Sequence, residues 1–271
     1  MTTGCEVFAA VRFAEWCSCS RNQLRIAAIG DLHVRSTVPT EIVRQSIELG
    51  QHADLLIIAG DITNGGRILE AEIAAEFLQR IELPILSVLG NHDRRTTRRR
   101  HYISLLREAG VRVLDGDTVV LPEFPEVGFA GVGGSGGGFW PEEAEPTPSN
   151  RAIQAMAVRA RREAARLDKA LDLLETPVKI AILHFAPTTT TLIGEPVVKY
   201  PLLGNSALGR VVDKHRVDLV FHGHSHIGSP EGFTPGGVPV RNVAASIHDG
   251  FSYHTLELPT NHQFSAERLA S

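Results

Sequence analysis

Leu219-Val-Phe-His-Gly-His-Ser-His226 is an apolar run that reads as a buried strand and ends in three histidines within five residues. Neutral imidazole is the commonest side-chain ligand for a transition metal, so His224 and His226, flanking one serine behind Gly223, are candidate ligands. His222 still belongs to the strand. The alternating pleat turns its ring away from His224, toward solvent or a partner behind the ligand layer. Short motifs match falsely with ease, so partners elsewhere in the chain must decide the reading.

The same pattern recurs upstream. Leu24 to Ile29 is a compact apolar run entering Gly30-Asp31-Leu32-His33, and Asp54 to Ala59 enters Gly60-Asp61-Ile62-Thr63-Asn64. Ile85 to Leu89 enters Gly90-Asn91-His92-Asp93, and Val178 to Leu183 enters His184-Phe185. Helical spacing lies between: over residues 40–50, with Ile42, Val43, Ile47 and Leu49 on one face and Gly50 as a stop, and over residues 68–80. Strand, polar tip, helix, strand is the rhythm of crossover units in a helix-covered sheet, where ligands collect at the carboxyl ends of strands. The tips therefore point toward one rim. The donor set of Asp31, His33, Asp61, Asn91, His184, His224 and His226 mixes carboxylates, an amide and imidazoles, which suits two borderline divalent cations better than magnesium alone or a thiolate zinc site.

Other segments read less sharply. Arg94, Arg95, Arg98, Arg99 and Arg100 precede a helix over 101–109 and form either its solvated start or a patch for an anionic substrate. A strand over 127–132 runs into the glycine-rich residues 133–138 and then Phe139-Trp140, a linker or a flap over substrate. Residues 150–175 make the longest helix, with Ile153, Met156, Ala157, Ala160, Ala164, Leu167, Leu171 and Leu174 inward and arginines outward. A helix over 208–215 and strands over 238–243 and 251–258 complete the body.

Composition bounds the function. With 271 residues, 43% of them hydrophobic, the chain has material for a full α/β core. A net charge of −4 gives no global attraction to nucleic acid or an anionic membrane. Cys5, Cys17 and Cys19 all lie in the first nineteen residues, so no disulfide framework holds the body. Residues 1–22 are expected to be a poorly ordered tail and 23–271 a single domain. The start lacks the pattern of a secretory signal, and no apolar run approaches the ~18 residues that span a bilayer, so the expected location is cytoplasmic.

The five blocks Asp31-Leu-His33, Gly60-Asp61, Gly90-Asn-His-Asp93, His184 and Gly223-His-Ser-His226 occur in the order of the calcineurin-like metallophosphoesterase superfamily, which the sequence resembles. Asp31 to Asp61 and Asp61 to Asn91 are each thirty residues apart, in line with that resemblance. It implies an α/β fold, a four-layer α/β/β/α sandwich of two mixed sheets flanked by helices, with the metal site at the strand ends. It further implies that Asp31, His33 and His226 hold one metal, that Asn91, His184 and His224 hold another, and that Asp61 bridges them. The metals would be manganese, iron or zinc. A metal-bridging hydroxide would attack a phosphoric mono- or diester, with His92 as general acid and Asp93 orienting its ring. The expected substrate is a small phosphorylated molecule, nucleotides among the candidates. Alternatives are a non-catalytic scaffold of the same fold, or a nuclease using Arg94 to Arg100, which the acidic balance disfavours. Residues 133–150 and Thr188–Asn205 lie outside the core motifs and are where substrate choice is expected.

Overall fold

The computed structural model describes residues 22–145 and 150–259. Cys5, Cys17 and Cys19 and residues 1–21 of the expected tail lie outside the described residues. The strands are β1 (Gln23–Ile29), β2 (Leu55–Ile58), β3 (Ile85–Val88), β4 (Val111–Leu114), β5 (Asp117–Leu121), β6 (Phe124–Val132), β7 (Val178–Leu183), β8 (Leu219–His222), β9 (Glu231–Phe233), β10 (Pro239–Asn242) and β11 (Ser252–Glu257). The helices are α1 (Thr40–Ser46), α2 (Leu49–His52), α3 (Ile68–Leu78), α4 (Arg99–Glu108), α5 (Arg151–Asp172), α6 (Tyr200–Leu203), α7 (Ser206–Lys214) and α8 (Ala245–His248).

Two sheets form. One is five-stranded in the order β11-β1-β2-β3-β4, the other six-stranded in the order β5-β6-β7-β8-β10-β9. Strands β1 to β4 pair in parallel, as do β6, β7, β8 and β10, while β11, β5 and β9 join their neighbours antiparallel, so both sheets are mixed.

The central strands are apolar on both faces, as buried parallel strands must be. On β1 and β2, Leu24, Ile26, Ala28, Leu55 and Ile57 meet Phe129, Ile180, Ile182 and Phe221 of the other sheet in a shared core. Their alternates Ala27, Ile29, Leu56 and Ile58 pack under α3 and α4 through Ala71, Ala74, Leu78, Tyr102 and Leu106. The outer face of the six-stranded sheet is covered by α5 and α7 through Ala164, Leu167, Leu171, Leu208 and Val212. Helices, sheet, sheet and helices give the four-layer α/β/β/α sandwich. Among the described residues no helix is long and apolar enough to cross a membrane.

Some local expectations fail. Residues 40–50 do not form one helix: α1 ends at Ser46, Gly50 lies inside α2, and Ile47 is exposed while Ile42 and Leu49 are buried. The glycine-rich segment 133–138 is buried rather than a flap. Its Gly133 carbonyl accepts from the His184 and Phe185 amides, and the Gly137 and Gly138 amides donate to the Gly204 carbonyl. Helix α5 is held at its start by the Asn150 side chain, which accepts from the Ala152 and Ile153 amides, yet Ile153 itself is exposed.

Candidate metal centre

Parallel β1, β2 and β3 end on the same side as parallel β7 and β8, so the tips that follow them converge. Asp31, His33, Asp61 and His224 all hold positive φ, between 46° and 68°, a region that non-glycine residues enter at a cost of about 1–2 kcal/mol each. Backbone bonds hold the turns. The amides of Asp31 and His33 donate to the carbonyls of Gly60 and Asp61, both at 3.0 Å. The tips also pack too closely for side chains: at Gly90 a Cβ would overlap the Asp61 carboxylate.

Both carboxylates are fixed by amides. The His224 amide donates to Asp31 Oδ2 and the His92 amide to Asp61 Oδ1, each at 2.8 Å. Around Asp31, His226 Nε2 lies 3.2 Å from Oδ1 and 3.5 Å from His33 Nε2. Asp61 faces two ways: Oδ1 is 3.5 Å from His184 Nε2, and Oδ2 is 3.9 Å from His33 Nε2. Asp31, His33 and His226 thus form one compact donor group, and Asp61, His184 and His224 another. Asn91 joins the second, its Oδ1 lying 2.9 Å from His184 Nε2.

The tautomers that these contacts imply test whether cations fit. His184 Nδ1 donates to the Ala59 carbonyl at 2.8 Å, so in the neutral ring Nε2 carries a lone pair. That lone pair converges with oxygens of Asn91 and Asp61. His224 Nε2 likewise donates to the Leu202 carbonyl at 3.2 Å, which leaves Nδ1 as its free donor atom. Electron pairs directed at common points repel unless a cation lies between them, and a ring nitrogen tied to a carbonyl is the usual support of a metal-bound histidine. The residues present fit a pair of divalent ions.

Charge states agree with this donor set. Burial pushes the Asp31 carboxyl up, but the hydrogen bond to His226 and the nearby His184 outweigh it and hold it at about 2. Burial raises Asp61 to about 6, with His184 opposing and Asp93 and Asp31 reinforcing. Burial lowers His33 to about 4 and His224 to about 3, keeping both rings neutral and ready to ligate. His226 is raised, chiefly by its hydrogen bond to Asp31.

His92 stands at the edge of this set, with Nε2 3.9 Å from Asp61 Oδ2. Its ring is not oriented by Asp93, as expected, but by the backbone: Nδ1 donates to the Asn64 carbonyl at 2.5 Å. Asp93 is fully buried beneath, where its carboxylate accepts from the amides of Ile62, Thr63 and Gly90 and from the hydroxyls of Thr63 and Tyr102. A carboxylate so saturated with donors ties the β2 tip to the β3 tip and has no reach to the ring. His222 is also buried, donating from Nδ1 to the Gly223 carbonyl and accepting at Nε2 from Thr191 Oγ1 at 2.8 Å. Protein groups, not solvent, satisfy it.

The arginine run divides. Arg94 turns inward to Glu163 and the Gly134 carbonyl, and Arg99 pairs with Asp115, so these two bind the fold together. Arg95 turns to the site, with Nη2 3.2 Å from His92 Nε2. Arg95 is thus the member of the run that fits the anionic-substrate alternative, while Asn64, Leu202 and Phe185, whose ring centroid lies 4.3 Å from that of His224, are neighbours to which sequence reasoning gave no role. Asn64 and Phe185 belong to strand tips already singled out, and Leu202 to the segment where substrate choice is expected.

The family profile of calcineurin-like phosphoesterases matches residues 24–228. The chain belongs to that family, whose members are hydrolases. No curated protein matches it by sequence. Among solved structures, phosphopantetheinyl hydrolase (PptH) from Mycobacterium tuberculosis aligns with a TM-score of 0.58 at 18% identity, over 82% of this chain and 89% of that one. The protein TT1561 of Thermus thermophilus aligns at 0.55 with 17% identity, over 85% and 98%. At such identities the likeness establishes the fold.

Proposed function

We propose that this chain is a metal-dependent hydrolase of small phosphoric mono- or diesters. Asp31, His33 and His226 would hold one divalent ion, Asn91, His184 and His224 a second, with Asp61 between them and manganese, iron or zinc as the metal. The observation that carries this reading is the Asp61 carboxylate, whose two oxygens face two separate histidine groups. When bound, such ions supply Lewis acidity, lowering the pKa of water and offsetting charge on the phosphoryl oxygens.

The chain's own residues supply the rest. His92 has its Nδ1 proton fixed on Asn64, so the proton delivered to the leaving oxygen is carried on Nε2, which faces the site. Arg95 shares that nitrogen. An anionic phosphoryl group accepting from Arg95 would draw the guanidinium off Nε2, leaving that nitrogen free to take up a proton from water and pass it to the leaving oxygen. Asp93 serves as a positioning residue that fixes the Gly90 backbone ahead of His92 and the Ile62-Thr63 backbone ahead of Asn64. Residues 23–271 act in this reading as one domain, supported by the core that both sheets share.

The name of the phosphopantetheinyl hydrolase neighbour supports phosphoester chemistry on this fold. A nuclease reading gains nothing from Arg94 and Arg99, which are engaged in internal ion pairs.

The test is turnover of aryl phosphate mono- and diesters with added manganese, alongside metal analysis. Wild-type protein is expected to bind two ions and turn over at least one class. His92→Ala should keep both ions and lose about 10²–10⁴-fold in kcat. Two bound ions without turnover would overturn the hydrolase reading, and full activity in His92→Ala would overturn the role given to that ring.

A further inference from the structure

Residues Thr188–Asn205 leave the tip of β7 and return across the site. Two points fasten this loop to the loop of the candidate ligands. The Leu202 carbonyl accepts from His224 Nε2 at 3.2 Å, and the Glu195 carboxylate accepts from Ser225 Oγ at 3.2 Å and the Ile227 amide at 3.1 Å. Glu195 is buried in doing so.

The outer side of the same assembly is aliphatic. Ile193, Val197, Val198, Leu202 and Ile227 are each at least 60% exposed. The loop buries its carboxylate and, while Leu192 and Leu203 pack inward, leaves these aliphatic side chains outside; clustered exposure of this kind marks a binding surface where single exposed residues would not. Val197 and Val198 lie in a short 3-10 turn that leads directly into α6, which carries Leu202.

Resting on the hydrolase reading above, we propose that this rim receives the non-phosphate part of the substrate and that this part is an extended apolar chain: the substrate class is the phosphoric ester of a long-chain alcohol. Continuity with the site argues for this occupant. The rim begins at Leu202, bonded to His224, and at Ile227, the residue after His226, so a phosphoryl group among the ligands puts its substituent on the rim. A nucleobase would need hydrogen-bonding partners, and the five rim side chains offer none.

Two ester series test the proposal, p-nitrophenyl alkyl phosphodiesters and alkyl phosphate monoesters, each from methyl to octyl and each below micelle-forming concentrations. In whichever series turns over, kcat/KM is expected to rise with chain length, octyl exceeding methyl by about tenfold or more. In a Val197→Ser/Val198→Ser protein with wild-type metal content, the octyl-to-methyl ratio should fall toward one. A flat series with the wild-type protein overturns the proposal whether or not the variant folds, and leaves the hydrolase reading standing. Turnover of neither series with two ions bound overturns both. A flat series together with a dimer that dissociates in the double variant, measured by sedimentation, overturns the proposal by assigning the rim to self-association.

Discussion

The five-stranded sheet brings carboxylates to the rim, and the six-stranded sheet brings only imidazoles. Asp31 and Asp61 stand at the ends of β1 and β2, whereas β7 and β8 end in His184, His224 and His226. The first set is carboxylates held by backbone amides; in the second, carbonyls orient two of the rings, Ala59 for His184 and Leu202 for His224, while His226 bonds across to Asp31. This contrast locates the severe failures. Losing a carboxylate removes the charge that would hold a cation, while losing one imidazole removes a single lone pair.

The steepest loss tests that asymmetry directly. Asp61→Asn should lose both ions and at least about 10³-fold in kcat/KM, equivalent to about 4 kcal/mol. His184→Gln should lose one ion and about 10–100-fold. Metal analysis with steady-state kinetics checks the pair, and equal losses would erase the distinction between the sheets.

Next comes stability. Asp93→Ala strips the acceptor from three buried amides and two hydroxyls on the five-stranded side, and should cost roughly 3 kcal/mol or more. Thr191→Val, which removes the partner of His222 on the other sheet, should cost about 1 kcal/mol. Denaturant titrations with an unchanged m-value would measure both.

The mildest change is in pH. On β11 at the edge of the five-stranded sheet, His254 is lowered to about 4, first by burial and then by Arg241 and His248. Its folded pKa lies below the unfolded one, near 6.5, so the unfolded chain takes up the proton first as the medium becomes acid. Stability from this ring is therefore complete above about pH 6.5, falls between there and about pH 4, and levels off below. His254→Gln should flatten the stability profile in that window by less than the ~1.4 kcal/mol per pH unit that one group can contribute. An unchanged slope would mean that the ring is not charged on unfolding.

The tips were legible because each is an apolar run that stops at or beside a ligand, a pattern that strand burial and metal chemistry both impose. Strands β4, β5 and β9 were not, being short and punctuated by polar residues such as Arg112, Asp117 and Glu231. Residues 133–138 misled for another reason: glycine composition reads as mobility, yet here it permits close packing of backbone on backbone. Asp93 shows a further limit. Adjacency in sequence to His92 suggested a pair, but one residue along a tight turn reverses the side chain's direction, and only the folded chain reveals five donors waiting on the far side. Arg94 and Arg95 part company in the same way.

The overlap that any side chain at Gly90 would make with the Asp61 carboxylate limits how such a molecule can be altered. An alanine there would not weaken the centre by degrees; it would dislodge the carboxylate that both histidine groups share. Engineering the reaction therefore offers no gentle gradient at the strand tips. The aliphatic loop above them touches a ligand through the Leu202 carbonyl and braces the residues beside the ligands through the Glu195 carboxylate, so its outward side chains can be exchanged many at a time. A laboratory search for new substrates should begin in that loop and leave the tips alone.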